Sequence, residues 1–140
     1  MHLILHTDGG ARGNPGPAGI GVVIKNAETG EIVEQHSEFI GHTTNNQAEY
    51  RAVILGLRRC VALGATEVEV VADSELLIKQ AKGEYKVKNR ELASRYVEMK
   101  NLETHIGRVR YRHVRREKNK EADALANAAM DKGMRRSVGD

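Results

Sequence analysis

The hydrophobic period changes once along this chain, and that change limits the folds open to it. Residues 2–8 (HLILHTD), 19–25 (GIGVVIK) and 31–40 (EIVEQHSEFI) are short, apolar, loosely alternating segments bounded by turn formers, and they predict three strands. Links this short favour an antiparallel meander. After the cap-forming cluster Thr43–Asn46 the period becomes helical. Residues 47–63 set Ala48, Ala52 and Leu55, and also Val53, Leu57 and Cys60, at helical spacing, with Gly64 as the stop. Residues 67–72 (EVEVVA) predict a fourth strand, and Asp73-Ser74 opens a helix over 74–82. A helix over 91–103 carries the stripe Leu92, Tyr96, Met99 and Leu102. A basic strand over 108–114 and a small-residue helix over 119–132 (Ala122, Leu125, Ala126, Ala129) complete the order βββαβααβα. That order predicts an α/β domain with a five-stranded mixed sheet, a meander of strands 1–3 plus two further strands, covered by helices.

The 140 residues suffice for one domain, expected over residues 1–132, with 133–140 a frayed C-terminal tail. An apolar content of 40% with 14 Gly and only 2 Pro excludes disordered and collagen-like chains. With no Trp and a single Phe, the core has to be aliphatic. The lone Cys60 excludes a disulfide framework and a Cys-based zinc site within one chain. No apolar run is long enough to span a membrane, and MHLILHTDGG lacks the basic and apolar regions of a signal peptide. The expectation is a soluble, cytoplasmic protein with no membrane partner and no obligate protein partner. The net charge is +3, with basic runs at 82–90 and 108–120. A solvated face accounts for such runs as readily as a polyanionic partner does.

Four acids stand where these elements begin or break. Asp8 ends the first apolar run, Glu49 falls in the first turn of the first long helix, Asp73 closes the fourth strand, and Asp123 lies near the start of the last helix. Singly, each is an ordinary cap, turn or helix-dipole residue. Together they can converge if strands one and four are neighbours. Converging carboxylates repel by about 1 kcal/mol per pair in water and several times that when desolvated, so protons or cations must lie between them. A donor set of oxygens alone favours Mg²⁺ or Mn²⁺ over zinc. Two such ions about 3.5–4 Å apart would clamp the attacking water and the leaving oxygen of a phosphodiester.

The segments Thr7-Asp8-Gly9-Gly10, Gly13-Asn14-Pro15-Gly16-Pro17-Ala18-Gly19, Thr44-Asn45-Asn46-Gln47-Ala48-Glu49-Tyr50, Ala72-Asp73-Ser74 and Asn119 to Ala126 (NKEADALA) resemble type 1 ribonuclease H, in the family's order and at compatible separations. The resemblance covers about residues 2–130. It implies a ribonuclease H-like fold and hydrolysis of the RNA strand of RNA–DNA hybrids, leaving 5′-phosphate and 3′-hydroxyl ends. It also implies two Mg²⁺ ions, with Mn²⁺ a possible substitute: Asp8 would bridge both, Glu49 and Asp73 would complete one site, and Asp123 the other. Asn14, Asn45 and Gln47 fall where the family reads the minor groove and RNA 2′-hydroxyls, with amides able to donate and accept. Thr44 and Asn89 resemble the family's pocket for a DNA-strand phosphate, with Lys86 and Lys88 as electrostatic support.

The chain also departs from the family's longer members. His113 has the spacing of their mobile histidine, but Tyr111-Arg112-His113-Val114 reads as strand. Arg116, in the short loop ahead of Asn119, resembles the substitute found in a compact subgroup, where it would stabilise charge developing at phosphate. The stretch 83–91 is too short for a full basic protrusion, and no hybrid-binding domain fits ahead of Asp8, so substrate binding is expected to be weak and salt-sensitive. The alternatives are a nuclease of the same fold that also cuts RNA–RNA duplexes, and a non-catalytic nucleic-acid-binding module.

Overall fold

Leu3 and Leu5 lie on one face of the first strand and are fully buried, while their neighbours His2, Ile4 and His6 point to the other face. The computed structural model describes residues 1–137. Among these, five strands are formed: β1 (His2–Ala11), β2 (Gly16–Asn26), β3 (Ile32–Thr43), β4 (Glu67–Ala72) and β5 (Arg108–His113). They make one sheet in the order β3-β2-β1-β4-β5. β1–β2 and β2–β3 pair antiparallel, whereas β1–β4 and β4–β5 pair parallel, so the sheet is mixed and opens with the expected meander.

Among the described residues four α-helices cover it: α1 (Asn45–Ala62), α2 (Glu75–Ala81), α3 (Arg90–Ile106) and α4 (Lys120–Ser137). α1, α2 and α3 close one face over an aliphatic core that includes Leu3, Leu5, Val22, Val53, Leu57, Val70 and Met99. Burying each such side chain contributes about 1.5–3 kcal/mol. α4 crosses the opposite face above β1, β2 and β3. It approaches so closely that a Cβ on Gly21 would overlap the Ala122 carbonyl, so only glycine fits there.

The elements extend beyond their sequence-based limits in places. β1 runs to Ala11 and β2 starts at Gly16, because Gly9, Gly10 and Ala11 pair with Ile20, Gly19 and Ala18. Ladder hydrogen bonds override the turn preference of these glycines. α4 continues through Gly133 to Ser137, where a frayed tail was expected from residue 133. The helix persists because it packs on the sheet: Phe39 of β3 lies where a Gly133 side chain would be. Residues 138–140 of the expected tail lie outside the described residues. Among the described residues no helix is long and apolar enough to cross a membrane.

Candidate active site

Parallel pairing of β1 with β4 stops at His6 and Val71, so Asp8, still within β1, and Asp73, just past β4, lie side by side two residues beyond the end of that ladder. The carboxyl ends of parallel strands are where open α/β sheets form their binding crevices. Glu49 is the fifth residue of α1, past the first turn in which the sequence placed it. It reaches this edge because α1 presses on β1 at Gly9, where any Cβ would overlap the Ala48 carbonyl. The Gly9 N–H donates to Glu49 Oε1 at 3.1 Å. Carboxylate oxygens of Asp8, Glu49 and Asp73 all lie within 4.8 Å of one another.

Asp123 enters from the first turn of α4 near enough to Asp8 to raise its carboxyl, though it lies outside that tight group of three. Its position is set by Asn119, which is buried and whose Nδ2 donates to the Thr7 carbonyl at 2.8 Å, tying the start of α4 to β1. The Asn119 carbonyl in turn accepts from the Asp123 N–H at 3.1 Å. All four acids line one open cavity of about 450 Å³.

Burial and mutual repulsion dominate the electrostatics. Desolvation, then the neighbouring Asp73 and the hydrogen bond with Asp123, push the Asp8 carboxyl up to about 8. Glu49 is raised well above its ordinary value by desolvation and then by Asp8 and Asp73, and Asp73 is raised chiefly by desolvation. Carboxyls in this state fit a multivalent cation: they are hard oxygen donors, close together, whose retained protons a cation would displace. Arg116, on a single 3₁₀ turn at Arg116–Lys118, places its Nη2 3.3 Å from Asp123 Oδ1 and stays largely exposed. His113 is the exposed last residue of β5, a strand position as expected.

The residues expected to meet substrate fall into three arrangements. Asn14, in the β1–β2 loop, accepts the Asn45 N–H on Oδ1 at 3.0 Å, and Asn45 Oδ1 accepts the Ala11 N–H at 3.3 Å. Asn14 and Asn45 are both exposed, and Asn45 lines the acid-lined cavity. Gln47 differs. It is buried, with Oε1 accepting from Arg95 Nε of α3 at 3.0 Å, so its amide bridges two helices. Thr44 and Asn89 are the N-caps of α1 and α3. Thr44 Oγ1 accepts the Gln47 N–H, and Asn89 Oδ1 accepts those of Glu91 and Leu92. Lys88 is exposed beside Tyr85 and Lys86. Sequence reasoning passed over Arg12, which lines the cavity that holds the four acids. Its partners are on α4, so no local signal marks it.

A family described as reverse transcriptase-like matches residues 6–129. The chain is 43% identical to a bifunctional protein of Mycobacterium tuberculosis over its full length, which is 38% of that relative. It is 40% identical to ribonuclease HI of Halobacterium salinarum, covering 89% of this chain and 62% of the other. It thus spans less than two thirds of these curated relatives. Some solved structures match along almost their whole length. The N-terminal RNase H domain of the mycobacterial protein superposes with a TM-score of 0.91 at 44% identity, covering 94% of this chain and all of that one. The LC11 RNase H1, solved in complex with an RNA/DNA hybrid, gives a TM-score of 0.90 at 44% identity, covering 94% of this chain and 99% of that one. Sheet order, acid-lined edge and these likenesses agree, and the chain belongs to the ribonuclease H family.

Proposed function

We propose that the chain is an endonuclease that hydrolyses the RNA strand of RNA–DNA hybrids with divalent cations held by Asp8, Glu49, Asp73 and Asp123. One observation carries this reading: three carboxylates within 4.8 Å of one another, with a fourth lining the same open cavity. Mg²⁺ is the cation such hard oxygen donors favour, with Mn²⁺ an alternative. Asp8, central in the cluster, is assigned to both of two ion sites, Glu49 and Asp73 to one, and Asp123 to the other. When bound, the ions supply Lewis acidity toward phosphate oxygens and water.

The chain's own residues have separate tasks. Asp8, Glu49 and Asp73 offer hard oxygen donors in a cavity whose rim stays open to a polymer. Arg116, beside Asp123, is placed to offset charge that develops at a reacting phosphate. The amide groups of Asn14 and Asn45 have their oxygens committed to backbone N–H donors, which leaves their NH₂ groups for incoming acceptors such as base edges and 2′-oxygens. Lys88 and the helix-capping pair Thr44 and Asn89 are assigned to the DNA strand, away from the cut.

End-labelled RNA–DNA, RNA–RNA and DNA–DNA duplexes incubated with Mg²⁺, Mn²⁺ or excess EDTA test the reading. The expected result is cleavage of the RNA strand of the hybrid, only with added ion. Equal cleavage of RNA–RNA would replace hybrid specificity with a broader duplex ribonuclease, binding without cleavage would leave a nucleic-acid-binding module, and cleavage persisting in EDTA would refute the ion requirement.

A further inference from the structure

Among the described residues two cationic side chains stand in the wall of the acid-lined cavity, and the proposed function uses only Arg116. The other, Arg12, comes from the β1–β2 loop, closed by the Arg12 N–H donating to the Pro17 carbonyl at 2.8 Å. Its guanidinium lies along α4, with Nη1 donating to Asp131 and Nη2 to Asn127 Oδ1 at 3.3 Å. Asp123, Asn127 and Asp131 are spaced four residues apart and share one face of α4. Arg116 binds the first of them, and Arg12 the second and third. Eight residues of helix span about 12 Å, comparable with three or four nucleotide steps at about 3.4 Å of rise each. The cavity is therefore bracketed along α4 by two arginines at a separation of a few phosphates on one strand.

Arg12 also has donors to spare. A guanidinium carries five N–H groups, and Nε–H and one Nη2 hydrogen of Arg12 have no partner among the described residues. Asp131 and Asn127 hold Nη1 and one Nη2 hydrogen, which leaves the Nε edge of the guanidinium free. A planar donor fork fixed on one edge and open on the other suits a phosphodiester oxygen.

We propose that Arg12 binds a backbone phosphate of the strand being cut, a few nucleotides from the scissile one, with Asp131 and Asn127 of α4 as the residues that aim it. This inference rests on the hydrolytic reading above and adds to it a second phosphate contact, about one to two turns further along α4 than Arg116. Arg12 is a binding residue: the phosphate it meets does not react, so its contribution is the same in ground and transition states and appears in KM.

The test is steady-state cleavage of an RNA–DNA hybrid at several salt concentrations by the wild type, Arg12→Met and Asp131→Asn. Arg12→Met keeps the aliphatic stem and removes the charge. It should raise KM about three- to tenfold, leave kcat within about twofold, and flatten the plot of log(kcat/KM) against log salt by about one unit. Asp131→Asn keeps an oxygen that accepts from the guanidinium, so the aim is retained while a negative charge beside the phosphate is removed: its KM should stay level or fall, and its slope should not flatten. A set of hybrids carrying one neutral methylphosphonate at successive RNA positions then locates the contact. One position within about four nucleotides of the cut should weaken the wild type and have no further effect on Arg12→Met. A role confined to tying the loop to α4 predicts the opposite: both variants impaired alike, an unchanged salt slope and no position-specific loss of effect, and that result overturns the proposal. Lack of any hybrid cleavage by the wild type with Mg²⁺ overturns the parent reading and this inference together. Wild-type cleavage with an unchanged slope in Arg12→Met removes Arg12 alone.

Discussion

Replacing Asp8 with Asn should abolish activity and, without metal, make the protein more stable. Oxygens of Asp8, Glu49 and Asp73 lie within 4.8 Å of one another, and at an effective dielectric near 20 each ionised pair at that distance repels by roughly 3.5 kcal/mol. The folded protein escapes part of this by keeping a proton, which is why the Asp8 carboxyl rises from 3.8 to about 8. Holding that proton at pH 7 costs about 1.36 kcal/mol for each unit between the solution pH and the unfolded value, or on the order of 4 kcal/mol. Asp8 is only 9% exposed, so solvent screens little of it, but the three acids share the burden. The substituted amide would carry no charge and still donate to Asp123. The expected gain is about 2–4 kcal/mol, a rise in Tm of roughly 6–12 °C for a domain of this size.

The sign fixes the pH window. A carboxyl whose folded value is raised favours the folded state most below its unfolded value of 3.8, and that advantage is lost as pH climbs toward about 8. The stability difference between Asp8→Asn and wild type should therefore be small near pH 4, grow through pH 5–7 and level off above pH 8. Urea unfolding in EDTA at pH 4, 5.5, 7 and 9 measures it. Added Mg²⁺ should raise the wild-type Tm far more than that of the variant, narrowing the gap. A variant no more stable than wild type in EDTA at pH 7, or a gap that shrinks as pH rises, would refute the charge-repulsion argument. Retained hydrolysis would refute the assignment of Asp8 as the central ligand.

Arg116→Ala should lower kcat on RNA–DNA hybrid by more than about tenfold, at least ~1.4 kcal/mol of transition-state stabilisation, whereas Lys88→Ala should mainly raise KM; steady-state kinetics at two salt concentrations separates them, and an Arg116 effect confined to KM would make it one more phosphate contact. Gly9→Ala should destabilise the fold by about 1–3 kcal/mol and weaken metal-dependent stabilisation, because the new Cβ overlaps the Ala48 carbonyl and moves Glu49 from its Gly9 contact; an unchanged Mg²⁺ response in thermal melts would count against it. The hydrogen bond from Arg59, then that from His36, holds Glu34 down to about 2. Glu34→Gln should thus cost no more than about 1 kcal/mol above pH 5, discounted for its exposure, and that cost should fade as pH drops toward 2; a pH-independent loss in chemical denaturation would point to packing instead.

The order of elements was legible because hydrophobic period is local: Leu3 and Leu5 alternate, and Val53, Leu57 and Cys60 recur at helical spacing, whatever lies elsewhere in the chain. The four acids were legible because each stands in a motif near a strand–helix junction, although β1 runs three residues past Asp8 and Glu49 lies beyond the first turn of α1. Three features were not legible, each for a different reason. Turn-forming residues Gly9, Gly10, Gly16 and Pro17 hid the full length of β1 and β2, since pairing register belongs to two strands together. The burial of Gln47 depends on Arg95, 48 residues away, which decides the face that α1 turns to α3. Arg12 depends on Asp131, 119 residues away. A carboxylate cluster has to be built from element ends that can converge, and local sequence records those ends. The groups that aim a substrate need only a neighbour of the right charge somewhere on the folded surface. Their partners are chosen by packing, so the chemistry of the centre can be read from motifs while the fit of its rim requires the fold.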